Sequence, residues 1–146
     1  MKNKAKVVVI GGGVVGVSTL YHLAKKGWSD VVLCERKELT SGSTWHAAGL
    51  MPLFNMSYSV GQIHKYSVKF YQELEKETGQ DVGFREVSNI RLAENQDRMD
   101  EYRQYAGVAE TIGVKVNFLT PEEIQKAWPL CSIDGLVGAI QHPEDG

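Results

Sequence analysis

Val7-Val8-Val9-Ile10-Gly11-Gly12-Gly13-Val14-Val15-Gly16 decides the fold. Four β-branched residues in a row read as a short strand buried on both faces. Gly11, Gly13 and Gly16 then fit the spacing G-x-G-x-x-G. Gly11 permits a tight turn off the strand. Gly13 lacks a Cβ, so backbone can approach a pyrophosphate. Gly16 lets the following helix pack closely on the strand. Val14 and Val15 open that helix, and its exposed N–H groups and dipole favour a phosphate charge.

The helix is expected over 14–26, with Val17, Leu20, Tyr21 and Ala24 on one face and Gly27 at its end. Val31-Val32-Leu33-Cys34 reads as a second buried strand. Glu35 follows it, nineteen residues after Gly16, with Arg36 beside it. An acid at that distance accepts hydrogen bonds from ribose hydroxyls and repels a 2′-phosphate. Strand, glycines, helix and acid together read as a dinucleotide-binding unit. They do not separate FAD from NAD.

The next loop narrows the choice. It runs through Gly42-Ser43-Thr44-Trp45-His46-Ala47-Ala48-Gly49-Leu50. In an open α/β sheet such a loop leaves the carboxyl edge of the strands, where ligands bind. Gly42, Ser43 and Thr44 offer N–H and hydroxyl donors to a pyrophosphate or ribityl chain. Ala47, Ala48 and Gly49 are small enough to let backbone approach a ring.

On this loop the sequence resembles the dimethylglycine and sarcosine dehydrogenases, flavin amine oxidoreductases related to D-amino-acid oxidase. The stretches Val82-Gly83-Phe84, Ile90-Arg91-Leu92-Ala93 and His142-Pro143-Glu144-Asp145-Gly146 extend the resemblance over nearly the whole chain. The resemblance implies a Rossmann-like FAD-binding domain of the GR2 type, followed by the start of an α+β substrate domain. It implies FAD joined covalently to His46, where a neutral imidazole meets the electrophilic 8α-carbon of the flavin. Burial and nearby backbone are expected to keep that imidazole neutral. Leu50 closes the candidate cofactor set. The implied reaction is oxidation of an N-methyl amine by hydride transfer to flavin. Electrons then pass to an electron-transfer flavoprotein or oxygen, and tetrahydrofolate is a possible one-carbon acceptor in a longer protein. No catalytic acid or base is assigned. The rival readings are a flavin amine oxidase with non-covalent FAD, a non-catalytic regulatory paralogue of the same fold, and a plain NAD dehydrogenase.

A net charge of -2 invites neither nucleic acid nor an anionic membrane. No apolar run approaches the ~20 residues of a membrane span. A first strand so near Met1 favours a bacterial-type cytoplasmic protein; a mature eukaryotic chain would belong in the mitochondrial matrix. Cys34 and Cys131 fit no metal spacing and are expected as reduced thiols, Cys34 within a buried strand. The residues supply two parallel strands, fewer than a doubly wound domain needs, so the chain is expected to be a fragment.

Further on, a helix is expected from about Val60 to Thr78, with Ile63, Tyr66, Phe70 and Leu74 as its core stripe. A strand follows around Val87, Ile90 and Leu92, irregular near Asn89. A helix over 96–112 is expected to bury Met99, Tyr102, Ala106 and Ala109. Val114, Val116 and Phe118 alternate as a half-buried strand. Thr120-Pro121-Glu122-Glu123 reads as a capped helix start, and 136–141 as a last strand. The expected division is 1–83 for the cofactor domain and 84–146 for the substrate domain. His22 and His64 read as surface or satisfied groups, and His142 has no role from sequence. There is no metal constellation.

Overall fold

A computed structural model describes residues 3–146. The chain divides into two units, the first ending at Gly49 and the second running from Leu50 to Gly146.

The first unit contains β1 (Val7–Ile10), α1 (Val14–Lys25), β2 (Val31–Cys34) and a 3-10 turn at Ser43–His46. β1 and β2 pair in parallel, with Val7 opposite Val31 and Ile10 opposite Cys34. Gly27, at φ 84°, turns the chain after α1. The elements fall where the sequence puts them, but their burial does not. α1 has no buried residue. Ile10 is 87% exposed and Val15 77%. Cys34 is exposed, contrary to expectation. Two strands and one helix layer cannot cover a strand that is apolar on both faces.

The second unit contains α2 (Tyr58–Thr78), β3 (Asn89–Ala93), α3 (Gln96–Ile112), β4 (Asn117–Leu119), α4 (Pro121–Ala127) and β5 (Gly138–His142). The strands form an antiparallel sheet in the order β3-β5-β4. Arg91 and Phe118 both pair with Ile140. Ser57, Asn95 and Thr120 cap the three helices, Thr120 in a full capping box with Glu123. The Ser57 cap starts α2 slightly earlier than its apolar pattern suggests.

Several packing expectations are corrected. On α2 the buried residues are Gly61 and Val68, while Ile63 and Tyr66 are exposed. The reason is Gly61: a Cβ there would lie 2.4 Å from Ile112 Cδ1, so the glycine lets α3 come close. On α3, Tyr105 and Ile112 are fully buried, whereas Ala106 is half-buried. Phe118 is 44% exposed, and only Val114 of its expected alternating set is buried. β3 begins at Asn89 because Ser88 sits at φ 68°. That conformation turns the Val87 and Ser88 N–H groups onto the Asp145 carbonyl, at 3.1 and 2.9 Å.

Asp145 is the centre of a buried polar cluster. Its Oδ1 accepts from the Leu53 N–H at 2.9 Å, and the next residue, Gly146, accepts from the Met51 N–H at 2.7 Å. Tyr105 donates to the Leu53 carbonyl, so its oxygen accepts from His142 Nε2–H at 3.1 Å. His142 therefore leaves a bare Nδ1. Phe54 stacks on Tyr105 with centroids 4.0 Å apart, and the Arg91 guanidinium lies 3.9 Å from the Phe54 centroid. Burial, helped by Arg91, lowers the His142 pKa to about 4. Burial raises Asp145 to about 6 against the pull of the Leu53 N–H. Among the described residues, no helix is long and apolar enough to cross a membrane, and no group of three His, Cys, Asp or Glu could hold a metal.

The two shifts act oppositely on stability. His142 binds its proton more weakly folded than unfolded, so it adds stability as pH rises from about 4 to 6.5. Asp145 binds its proton more tightly when folded, so its contribution is lost as pH rises from 3.8 to about 6. Each effect is up to roughly 2 kcal/mol after solvent screening. Relative to wild type, Asp145→Asn is expected to gain stability as pH rises through that window, and His142→Gln to lose it. Hydrogen exchange of the Ile140 amide between pH 4 and 7 measures both; slopes of the same sign would contradict this account.

Candidate cofactor site

The first unit's turn is built from close backbone approaches. Gly11, at φ 102°, donates its N–H to the Cys34 carbonyl at 2.8 Å and so joins the turn to β2. A Cβ on Gly16 would lie 1.9 Å from the Gly11 carbonyl oxygen, so no other residue fits there. A Cβ on Gly13 would meet Thr44 Oγ1 at 3.1 Å. That hydroxyl accepts from the Val14 N–H, the first amide of α1, at 2.9 Å.

Glu35 is held on both carboxylate oxygens. Gly12 N–H donates to Oε2 at 2.6 Å, and Lys37 N–H donates to Oε1 at 2.9 Å. These amides, Gly12 first, hold its pKa below the usual carboxylate value. Each oxygen keeps lone-pair capacity for a further donor such as a ribose hydroxyl.

The histidine loop is tied to the same turn. Thr40 N–H donates to the Gly12 carbonyl at 2.9 Å. The Trp45 N–H is shared between the Thr40 and Gly42 carbonyls, at 3.1 and 3.2 Å. His46 Nδ1 lies 3.1 Å from the Gly42 carbonyl. A carbonyl only accepts, so Nδ1 carries the proton and Nε2 has the free lone pair. His46 itself is exposed, contrary to the burial expected for it, and the Gly42 carbonyl sets its tautomer.

The glycine turn, Glu35 and part of the histidine loop border a cavity of about 650 Å³. Gly11, Gly13, Val14, Val15 and Gly16 line one side. Glu35, Arg36, Gly42, Ser43, Thr44 and Ala47 also line the cavity, as do Lys37 and Thr40. His46, Ala48 and Gly49 belong to the same unit but do not line it, and Leu50 belongs to the second unit. Sequence reasoning missed Gly12, Lys37 and Thr40. Gly12 falls at a variable place in the fingerprint, and Thr40 bonds through its backbone, which no side-chain motif reports.

The cavity fits an extended dinucleotide. It joins helix-start amides, an ionised acid and hydroxyl donors in one concave surface. The FAD dependent oxidoreductase family matches residues 6–146.

The chain belongs to the FAD-dependent oxidoreductase family.

Within the family, it is 45% identical over 145 residues to the mitochondrial dimethylglycine dehydrogenase of Rattus norvegicus, covering 99% of this chain and 17% of that protein. It is 40% identical over 147 residues to the mitochondrial sarcosine dehydrogenase of Homo sapiens, covering 100% of this chain and 16% of that protein. The structure of L-proline dehydrogenase from P. horikoshii superposes with a TM-score of 0.92 at 27% identity, over 100% of this chain and 38% of that one. The fold is therefore the Rossmann-like, FAD-binding α/β type. The chain spans about 17% of the length of the dimethylglycine dehydrogenase it matches.

Glu35→Gln keeps the side chain's size but removes its charge. In full-length apoprotein it should weaken binding of adenosine diphosphate, which carries the ribose this acid is expected to hold, by about tenfold. Isothermal titration measures this, and unchanged affinity would remove Glu35 from the site.

Proposed function

We propose that the whole protein oxidises an N-methyl amine such as dimethylglycine or sarcosine, using FAD held covalently by His46. The carrying observation is His46 itself. Its Nδ1–H is committed to the Gly42 carbonyl, which leaves Nε2 as the nucleophile. The two dehydrogenases that this chain resembles are named for these amines.

Bound FAD would supply a two-electron acceptor for the C–H bond beside the amine nitrogen. This chain's residues would do the holding. Glu35 accepts from the adenosine ribose. The amide at Val15 and the hydroxyls of Ser43 and Thr44 would serve the pyrophosphate, with Val14 N–H holding the Thr44 hydroxyl in place. Arg36 adds positive charge beside the pyrophosphate, and Ala47, Ala48 and Gly49 leave room for the ring. In this reading residues 1–83 are the start of a cofactor domain and 84–146 the start of a substrate domain. An electron-transfer flavoprotein or oxygen takes the electrons, and tetrahydrofolate captures the one-carbon unit where a folate domain is present. Both relatives are named as mitochondrial, which supports a mitochondrial location over a bacterial-type cytoplasmic one. The His46 tautomer supports covalent over releasable FAD, because it leaves Nε2 with the lone pair that the bond-forming step uses.

Peptide mapping of the full-length holoprotein is expected to find the FAD mass on the His46 peptide. His46→Ala should retain FAD that acid releases, and should oxidise amine on the order of tenfold more slowly. A bare His46 peptide from fully active protein would end the covalent reading.

A further inference from the structure

Thr40 is the strained residue of the first unit. Its φ of 65° lies in the left-handed region, where a β-branched side chain is a genuine outlier. Glycine adopts that conformation without the steric penalty. The backbone of Thr40 does not need a side chain. Its N–H goes to the Gly12 carbonyl and its carbonyl takes the Trp45 N–H, and glycine would make both bonds. Yet Thr40 lines the same cavity as Glu35, Val14 and Thr44. With both backbone groups occupied, the polar group that Thr40 has left to offer a ligand is its hydroxyl.

We propose that Thr40 is a cofactor-contacting residue, whose hydroxyl hydrogen-bonds the adenosine diphosphate half of the dinucleotide, and that the strained conformation is kept for that contact. The inference rests on the FAD reading above and deepens it. Placement decides the ligand chemistry. Thr40 is joined to Gly12, whose own N–H holds Glu35, and Thr44 stands at the first amide of α1. A hydroxyl in that setting serves a ribose hydroxyl or a phosphate oxygen, since it both donates and accepts. Strain at a ligand-facing position trades stability for binding. The two effects should therefore separate on substitution.

The test uses full-length apoprotein from riboflavin-starved cells, titrated with adenosine diphosphate, which carries no flavin and takes no part in covalent attachment. Thr40→Val removes the hydroxyl while leaving the strain. It should weaken binding about three- to tenfold, the worth of one hydrogen bond, with unchanged hydrogen exchange in β1. Thr40→Ser should bind as wild type does. Thr40→Gly removes both hydroxyl and strain. It should weaken binding similarly while slowing exchange of the Trp45 amide in the unliganded protein. Equal affinity of Thr40→Val and wild type would overturn the contact. Unslowed exchange in Thr40→Gly would overturn the retained strain. Wild-type protein that binds no adenosine diphosphate would instead overturn the dinucleotide reading, and this inference with it.

Discussion

One peptide group organises the cofactor unit. The N–H of Gly12 donates to Glu35 and its carbonyl accepts from Thr40. The candidate ribose acid, the glycine turn and the histidine loop thus meet at a single residue. Among the described residues of that unit, Gly12 alone is buried. A Cβ there would lie 2.6 Å from Leu39 Cδ2 and 3.1 Å from Glu35 Cβ, so the crowding that makes the junction tight also demands glycine. From Thr40 the order passes along the backbone to Trp45, and from Gly42 to the His46 ring. The imidazole is therefore oriented by main chain rather than by another side chain. Main-chain positioning costs no side-chain entropy and tolerates change in the intervening residues.

The second unit depends on a comparable junction of different chemistry. Asp145 gathers two segments: Leu53 through its side chain, and Val87 and Ser88 through its carbonyl. Around it lie buried polar atoms without hydrogen-bond partners among the described residues, namely Asp145 Oδ2, His142 Nδ1, Arg91 Nε and His64 Nδ1. A buried polar cluster of this kind fixes geometry at a cost in stability. The charged Arg91 lies over the Phe54 ring, which stacks on Tyr105. The cluster thus holds the segment 51–54 by both polar and aromatic contacts.

The sequence was most legible where local chemistry decides the outcome. The parallel β1–β2 pair, the helix between them and the glycine spacing are read from consecutive residues. So are the Thr120 capping box and the glycine stops at Gly79 and Gly113. It was least legible where a face had to be chosen. The stripe Ile63, Tyr66 and Phe70 is the more apolar side of α2, yet the helix is buried at Gly61 and Val68, because a small residue permits close approach to α3. Periodicity counts apolar residues and cannot weigh a missing side chain. Tyr105 lay outside the expected stripe of α3, and His142 was missed because it carries a polar group whose partner, the Tyr105 hydroxyl, only the fold supplies. At the cofactor site, the glycine fingerprint, Glu35 and the Gly42–Thr44 stretch line the cavity, whereas His46, Ala48 and Gly49 do not. Gly12 and Thr40 act through backbone bonds to residues distant in sequence, and neither composition nor spacing marks such bonds. Cys34 and Ile10 show the remaining limit. An apolar strand expects cover on both faces, and the elements of this chain supply it on one.

The central proposal is that His46, whose Nδ1 is tied to the Gly42 carbonyl, carries FAD on Nε2. A high-resolution crystal structure of the full-length holoprotein tests it most directly. The account predicts continuous electron density from His46 Nε2 to the flavin 8α-carbon, with Nδ1 still within hydrogen-bond distance of the Gly42 carbonyl. Density joining the flavin through Nδ1, or a clear gap between the ring and FAD, would contradict it.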